Sequence, residues 1–217
     1  MARSDRKGDK RSRQSFKTQH ERLGYYLIVT DTEATERVYF QGLYDSLPSN
    51  IKSDQLVIKI EKAKKTETLI DECKAMLDND PQIRDPWIVF DKDNISNFDE
   101  IIARAERQGI HAGWSNPCVE IWFEAYYGKM KAYETSKKCW HSFAEMFQKK
   151  THREYKKSDK QLYSILTSTG DEKDAIQVAE RRHQEHINNG IKQPSQMNPG
   201  TTLYKLVKEI RQKSQIK

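Results

Sequence analysis

From Tyr25 onward, short apolar runs alternate with longer segments in which apolar residues recur at helical spacing. The runs Tyr25–Thr30, Gln55–Glu61, Trp87–Phe90 and, more weakly, Ile110–Trp114 have the length and composition of strands. Between the first two, Phe40, Leu43, Tyr44 and Leu47 stand at i, i+3, i+4 and i+7, and Pro48 is a stop for that helix. Leu69, Ile70, Cys73, Met76 and Leu77 make a second apolar face before the third strand. A third helix is expected to begin near Asn97, with Ser96 or Asn97 as its cap and Asp99 or Glu100 three residues on, and to close at Gly109. Such a β-α-β-α-β-α-β series predicts an α/β fold with a parallel four-stranded sheet flanked by helices.

Beyond Ser115 the strand signals stop. Helices are expected over Val119–Tyr127, about Thr135–Lys149, Lys160–Thr167, Asp171–Asn188 and Thr201–Lys213, with Asn188–Gly200 as a loop before the last. Trp140, Phe143 and Phe147, then Leu203, Leu206, Val207 and Ile210, are core positions. The implied organisation is a basic tail over residues 1–24, an α/β core over 25–130, and a helical C-terminal part over 131–217 packed on that core.

Composition adds where the charge lies. Residues 1–24 carry eight Lys/Arg against Asp5, Asp9 and Glu21, which leaves them at +5 of a total of +6. A segment so poor in apolar residues is expected to be disordered, and it serves either to attract phosphate or merely to keep the chain in solution. A second basic stretch, Lys149, Lys150, Arg153, Lys156, Lys157 and Lys160, falls inside the folded part, and Lys149, Lys150, Arg153 and Lys157 are candidate nucleic-acid contacts. No run reaches the roughly 18 to 20 apolar residues of a membrane span, and no apolar N-terminal stretch reads as a signal peptide, so a cytoplasmic protein is expected. Cys73, Cys118 and Cys139 form no Cys-x-x-Cys and suit buried, reduced positions. His183-x-x-His186 puts two imidazoles on one helical face; without a third ligand, a solvated face is the better reading than zinc.

Open parallel sheets collect functional groups outside the carboxyl ends of their strands, where strand order reverses. In a 2-1-3-4 order that point lies between strands one and three. Strand one ends in Asp31, followed by Glu33 and Glu36; strand three ends in Asp91-Lys92-Asp93. Carboxylates gathered this way repel one another unless a cation stands among them. Mg2+ or Mn2+ would relieve that conflict and serve phosphodiester chemistry. The plainer reading of Asp-x-Asp after a strand is turn formation and helix capping. Glu120 either joins the acids or only gains from a helix N-terminus, and Asn116 before Pro117 either contacts phosphate or starts a turn.

Four segments resemble one family. Ile28-Val29-Thr30-Asp31-Thr32-Glu33-Ala34-Thr35-Glu36-Arg37-Val38-Tyr39-Phe40 looks like the opening motif of RloB-like proteins, roughly E-G-x-x-T-E-x-x-Y-F after a first strand. Val89-Phe90-Asp91-Lys92-Asp93 is similar to the family's Asp-x-Asp strand, and Ser115-Asn116-Pro117-Cys118-Val119-Glu120-Ile121-Trp122 to its S-N-P-C-x-E-x-W segment. Asn198-Pro199-Gly200-Thr201-Thr202-Leu203-Tyr204-Lys205-Leu206 resembles its N-P-x-T-x-x-Y-x-L ending. The resemblance implies a Toprim-like, that is Rossmann-like, core and a metal-dependent nuclease in antiphage defence, with an ATPase often encoded alongside. It implies Asp31, Asp91 and Asp93 as Mg2+ or Mn2+ ligands with Glu36 nearby, and Lys156 after Tyr155 as a charge-neutralising group.

Two positions depart from the family pattern: Asp31 stands for its Glu, and Thr32 for a Gly free to take positive φ. The family's His after the tryptophan helix is also replaced, by Glu124-Ala125-Tyr126-Tyr127. These departures keep open a catalytically weak or inactive subunit that binds or scaffolds nucleic acid. A phosphatase of the haloacid dehalogenase type also uses Asp-x-Asp, but after its first strand rather than its third. No phosphate-binding glycine motif is present.

Overall fold

The structure, a computed structural model, describes residues 24–215 apart from Glu33, Gln55 and Asn94. The expected disordered tail lies outside the described residues, Gly24 aside. Among the described residues the strands are β1 (Gly24–Thr30), β2 (Leu56–Lys62), β3 (Asp85–Asp91), β4 (His111–Asn116) and β5 (Gly200–Thr201). Their order in the sheet is β2-β1-β3-β4-β5, parallel except for β5, which runs antiparallel to β4. The helices are α1 (Thr35–Asp45), α2 (Ser49–Asp54), α3 (Leu69–Asn79), α4 (Phe98–Arg107), α5 (Glu120–Ala125), α6 (Ser136–Thr151), α7 (Leu162–Thr169), α8 (Glu172–Asn188) and α9 (Leu203–Ser214). None is long and apolar enough to cross a membrane.

Both faces of the sheet are covered, as an all-parallel core requires. Every residue of β1 is buried, and its side chains alternate between the two sides. Tyr26 and Ile28, with Trp87 and Val89 of β3, pack into a cluster shared with α1, α5, α6, α7 and α9. Leu27 and Val29, with Ile88 and Phe90, face the opposite cluster under α3 and α4. The first cluster runs unbroken from Tyr26 to Ile210, so the late helices bury their apolar stripes directly on the sheet.

Three features differ from the sequence expectation. A fifth strand closes the sheet edge, so Thr201 belongs to β5 and the last helix starts at Leu203. Ser115 pairs with Thr201 and Asn116 with Gly200, Thr202 Oγ1 accepts the Trp114 N–H at 3.0 Å, and Thr201 Oγ1 donates to the Trp114 carbonyl at 2.9 Å. Only glycine serves at 200, because a Cβ there would stand 2.4 Å from the Met197 carbonyl oxygen. Next, α1 ends at Asp45, ahead of Pro48 as expected, but Pro48 then leads into a further short helix, α2, in keeping with proline's fitness for a first turn. Finally, Asn97 makes no side-chain cap to α4, and Asp99 instead accepts the Ser195 backbone N–H at 2.7 Å and its hydroxyl at 2.5 Å.

His183 and His186 are half-buried rather than solvated. His183 Nδ1 lies 3.0 Å from the Tyr204 hydroxyl, and His186 Nε2 donates to the Pro199 carbonyl at 2.9 Å, so both imidazoles tie α8 to the last segment. Burial, then the nearby Lys205 and His186, push the His183 pKa down to about 4. The unfolded chain takes up this proton near pH 6.5 and the folded one resists it, so stability is full above about pH 6.5 and lost as pH falls toward 4. After allowance for solvent screening the loss is about 1–2 kcal/mol. His183→Gln, which keeps a hydrogen-bonding atom without titrating, should flatten the fall in melting temperature between pH 7 and 5. An unchanged slope would place the acid sensitivity elsewhere.

Candidate functional site

Four chain segments deliver carboxylates to the carboxyl edge of the sheet where β1 and β3 lie side by side and strand order turns. Asp31 follows the last residue of β1, and its N–H reaches the Val89 carbonyl at 3.3 Å, which prolongs the β1–β3 pairing and fixes Asp31 beside β3. Glu36 enters from the first turn of α1 and is buried. Asp91 ends β3 and accepts the Val119 N–H on Oδ2 at 3.0 Å, where α5 begins. Glu120, the first residue of α5, is fully buried. Asp93 sits in the turn after β3 with φ of 34°, a left-handed conformation Asp tolerates better than most residues, and its N–H donates to the Pro117 carbonyl at 3.0 Å.

These acids feel one another. Burial drives the Asp91 carboxyl well above the usual range, and the charges of Glu36, Glu120 and Asp31 push the same way; the Val119 N–H opposes them. Burial lifts Asp31 to about 6 against the hydroxyl of Thr66, 3.0 Å from Oδ2, and Asp93 adds a smaller push upward. Glu36 rises to about 7, again chiefly through burial, with the Thr32 hydroxyl bonded to it and opposing the rise. Asp31 Oδ1 and Glu120 Oε2 are buried without a hydrogen-bond donor. An orphaned carboxylate oxygen among like charges is the kind of atom a cation satisfies. Yet among the described residues no three Asp, Glu, His or Cys side chains converge on one point as ligands, and Glu33 lies outside those residues.

A positive group does reach the cluster. The loop after α6 folds back so that Tyr155, packed on Phe143 and Phe147 with ring centroids 4.8 and 5.6 Å away, donates its hydroxyl to Glu120 Oε1 at 3.0 Å. Lys157 Nζ stands 3.5 Å from the same oxygen. Burial lowers the Lys157 pKa, but Glu120, Asp91 and Glu36 outweigh it and the net direction is up. Lys156, singled out from the sequence, points the other way: its ammonium is 3.4 Å from Glu154 Oε2, and its side chain is about two-thirds exposed. Lys149 and Lys150 lie exposed at the end of α6, and Arg153 donates to Gln161 Oε1 at 3.1 Å.

The structure gives other candidates different surroundings. Asn116 is buried, and its amide donates to the carbonyls of Pro194 and Ser195 at 3.1 and 3.0 Å, clamping β4 to the segment before β5. Thr32, in place of a glycine, is not at positive φ; the turn does not use the freedom a glycine would supply, and the hydroxyl engages Glu36 instead. At the position of the replaced histidine, Glu124 accepts the Tyr133 hydroxyl at 2.5 Å and the Lys131 N–H at 3.3 Å, away from the acids. Thr66, Tyr155 and the orientation of Lys157 were not foreseen. Tyr155 had a signal, being a tyrosine set in a run of mostly charged residues.

With that geometry established, the family model for RloB-like protein matches residues 26–210. No curated protein and no solved structure matches the chain.

Proposed function

Because the chain belongs to the RloB-like family, we propose that its acidic edge is the centre of a Toprim-like, divalent-metal-dependent nuclease that cuts phosphodiester bonds. The observation that carries this reading is the pair of orphaned buried oxygens, Asp31 Oδ1 and Glu120 Oε2, within a cluster of mutually repelling carboxylates. Asp31, Asp91 and Asp93 would hold Mg2+ or Mn2+, with Glu36 and Glu120 beside them. The bound cation would supply charge neutralisation at the phosphodiester and an activated water.

The chain's own residues have separate tasks in this scheme. Lys149, Lys150 and Arg153 attract the phosphate backbone without reading sequence. Tyr155 holds the basic loop against Glu120, and Lys157 presents its ammonium where negative charge develops. The family resemblance further supports a role in antiphage defence alongside an ATPase. A second reading, a subunit that binds nucleic acid without cutting it, is favoured by the pairing of Glu120 with Lys157, which already sets a cation against one of the acids.

The deciding experiment incubates the protein with labelled DNA, total RNA and tRNA, with Mg2+, Mn2+ or EDTA, beside Asp93→Asn. Asn is chosen because it also tolerates the positive φ at that position. Metal-dependent cutting that Asp93→Asn abolishes, with binding retained, is expected of a nuclease. Binding without cutting under every condition would decide for the second reading. Asp31→Glu restores the longer carboxylate of the family pattern and should keep or raise cleavage in the same assay, whereas Asp31→Asn should lose it. Equal activity in all three proteins would remove Asp31 from the site.

A further inference from the structure

A cleft of about 380 Å³, lined mostly by residues with polar side chains, opens beside Asp93. Its walls come from the turn after β3 (Lys92, Asp93), the end of β4, the start of α6 (Ser136, Lys137) and the segment before β5 (Ser195, Asn198). Most of the polar atoms lining it have partners inside the protein. Ser195 is bonded to Asp99 through its backbone N–H and hydroxyl, and Asn198 donates to the Tyr133 carbonyl at 2.7 Å. Ser136 donates to the Pro117 carbonyl at 3.3 Å, and Asn116 is held by Pro194 and Ser195. At the rim, Glu134 is paired with Lys138. Among the described residues that line the cleft, the side chains of Lys92, Lys137 and Asp93 have no ion pair or hydrogen bond.

Two unpaired cations lining one recess favour an anion there. Among the described residues no aromatic ring lines the cleft, so they offer no platform on which a base would stack. Its volume is at the lower end of ligand pockets and suits a phosphate with its sugar rather than a duplex. The cleft shares Asp93 with the carboxylates, and Asp93 in turn acts electrostatically on Asp31. We infer that the cleft seats the backbone of the nucleotide adjoining the scissile bond, with Lys92 and Lys137 gripping its phosphate. This inference rests on the nuclease reading, since that reading makes a nucleic-acid strand the anion.

The test separates the two. Binding of a short fluorescent single-stranded oligonucleotide, as DNA and as RNA, is measured in EDTA across a range of salt, so that no metal or cutting is needed. The proteins compared are wild type, Lys92→Gln, Lys137→Gln, the double variant, and Lys74→Gln on exposed α3 as a control. Each cleft lysine should remove about 0.7 from the slope of log affinity against log salt, and the double variant about 1.4, with no change for Lys74→Gln. In parallel, the oligonucleotide should protect Lys92 and Lys137, but not Lys74, from an amine-reactive reagent read by mass spectrometry.

An unchanged slope and no protection would overturn the cleft assignment, even if Mn2+-dependent cutting were intact. Stronger protection by an acidic peptide than by the oligonucleotide would overturn it as well. If slope and protection behave as expected but no metal supports cutting, the cleft stands as a binding site and the nuclease reading falls.

Discussion

Asp91→Asn is expected to make the metal-free protein more stable while reducing Mn2+-dependent cleavage by more than about a hundredfold. The two effects share one cause. Burial and three neighbouring carboxylates oppose a charge on Asp91, so its ionisation in the metal-free protein costs stability. Asparagine keeps an oxygen to accept the Val119 N–H, bonded at 3.0 Å in the wild type, and removes the repulsion. Relief of a desolvated like-charge contact is worth about 1–2 kcal/mol, or a few degrees in a domain of this size. The same change removes a ligand, so the rise in melting temperature that Mn2+ gives the wild type by mass action should shrink sharply in the variant. Thermal melts in EDTA and in Mn2+, beside cleavage rates, read all three quantities. A variant that melts lower in EDTA and keeps the full Mn2+ response would show that Asp91 is an ordinary structural cap with the metal elsewhere.

How much of this was legible beforehand depended on whether a feature repeats along the chain. Buried β1 announces itself as an apolar run and α1 and α3 by the period of their apolar faces, while α4 was expected from cap residues; with the common 2-1-3-4 order as the frame, the meeting of Asp31 with Asp91 at one sheet edge followed from the strand ends. The β5 dipeptide offers no period: Gly200 and Thr201 join the sheet by pairing with Asn116 and Ser115, and the Thr201 hydroxyl bonds to Ser115 and Trp114, all more than eighty positions away. Asn116 carried an amide that sequence could equally give to phosphate or to a turn, and its carbonyl partners lie 78 and 79 residues on. The motifs around Ser115 and Thr201 are thus bound to each other across the sheet edge, a structural coupling that either motif read by itself does not reveal. In the loop after α6 neither helix nor strand sets a register, so nothing in Tyr155-Lys156-Lys157 says which lysine turns inward. The anchoring of Tyr155 on Phe143 and Phe147 decides it, and that packing exists only in three dimensions.

That choice between adjacent lysines leads to the other large expected effect. Lys157→Met should lower cleavage by about ten- to a hundredfold, whereas Lys156→Met should leave it within about twofold, because only the first loses a cation near the developing charge. Loss of fold is not the expected cause. Lys157 is about half exposed and 3.5 Å from Glu120, so the pair is worth only about 1 kcal/mol after solvent screening, and methionine retains the apolar stem. Glu120 would keep its bond from the Tyr155 hydroxyl at 3.0 Å. In the metal-free protein the ammonium also competes with a divalent cation for the carboxylates, so its removal should increase the Mn2+-induced rise in melting temperature even as cleavage falls. A merely structural lysine would not move those two readouts in opposite directions. Combining Lys157→Met with Glu120→Gln isolates the pair, since the stability loss of the first should largely vanish in the background of the second. If Lys156→Met proves the more damaging change, or if Lys157→Met weakens the Mn2+ response together with cleavage, Lys157 serves the fold of the loop and the neutralising cation must be sought elsewhere.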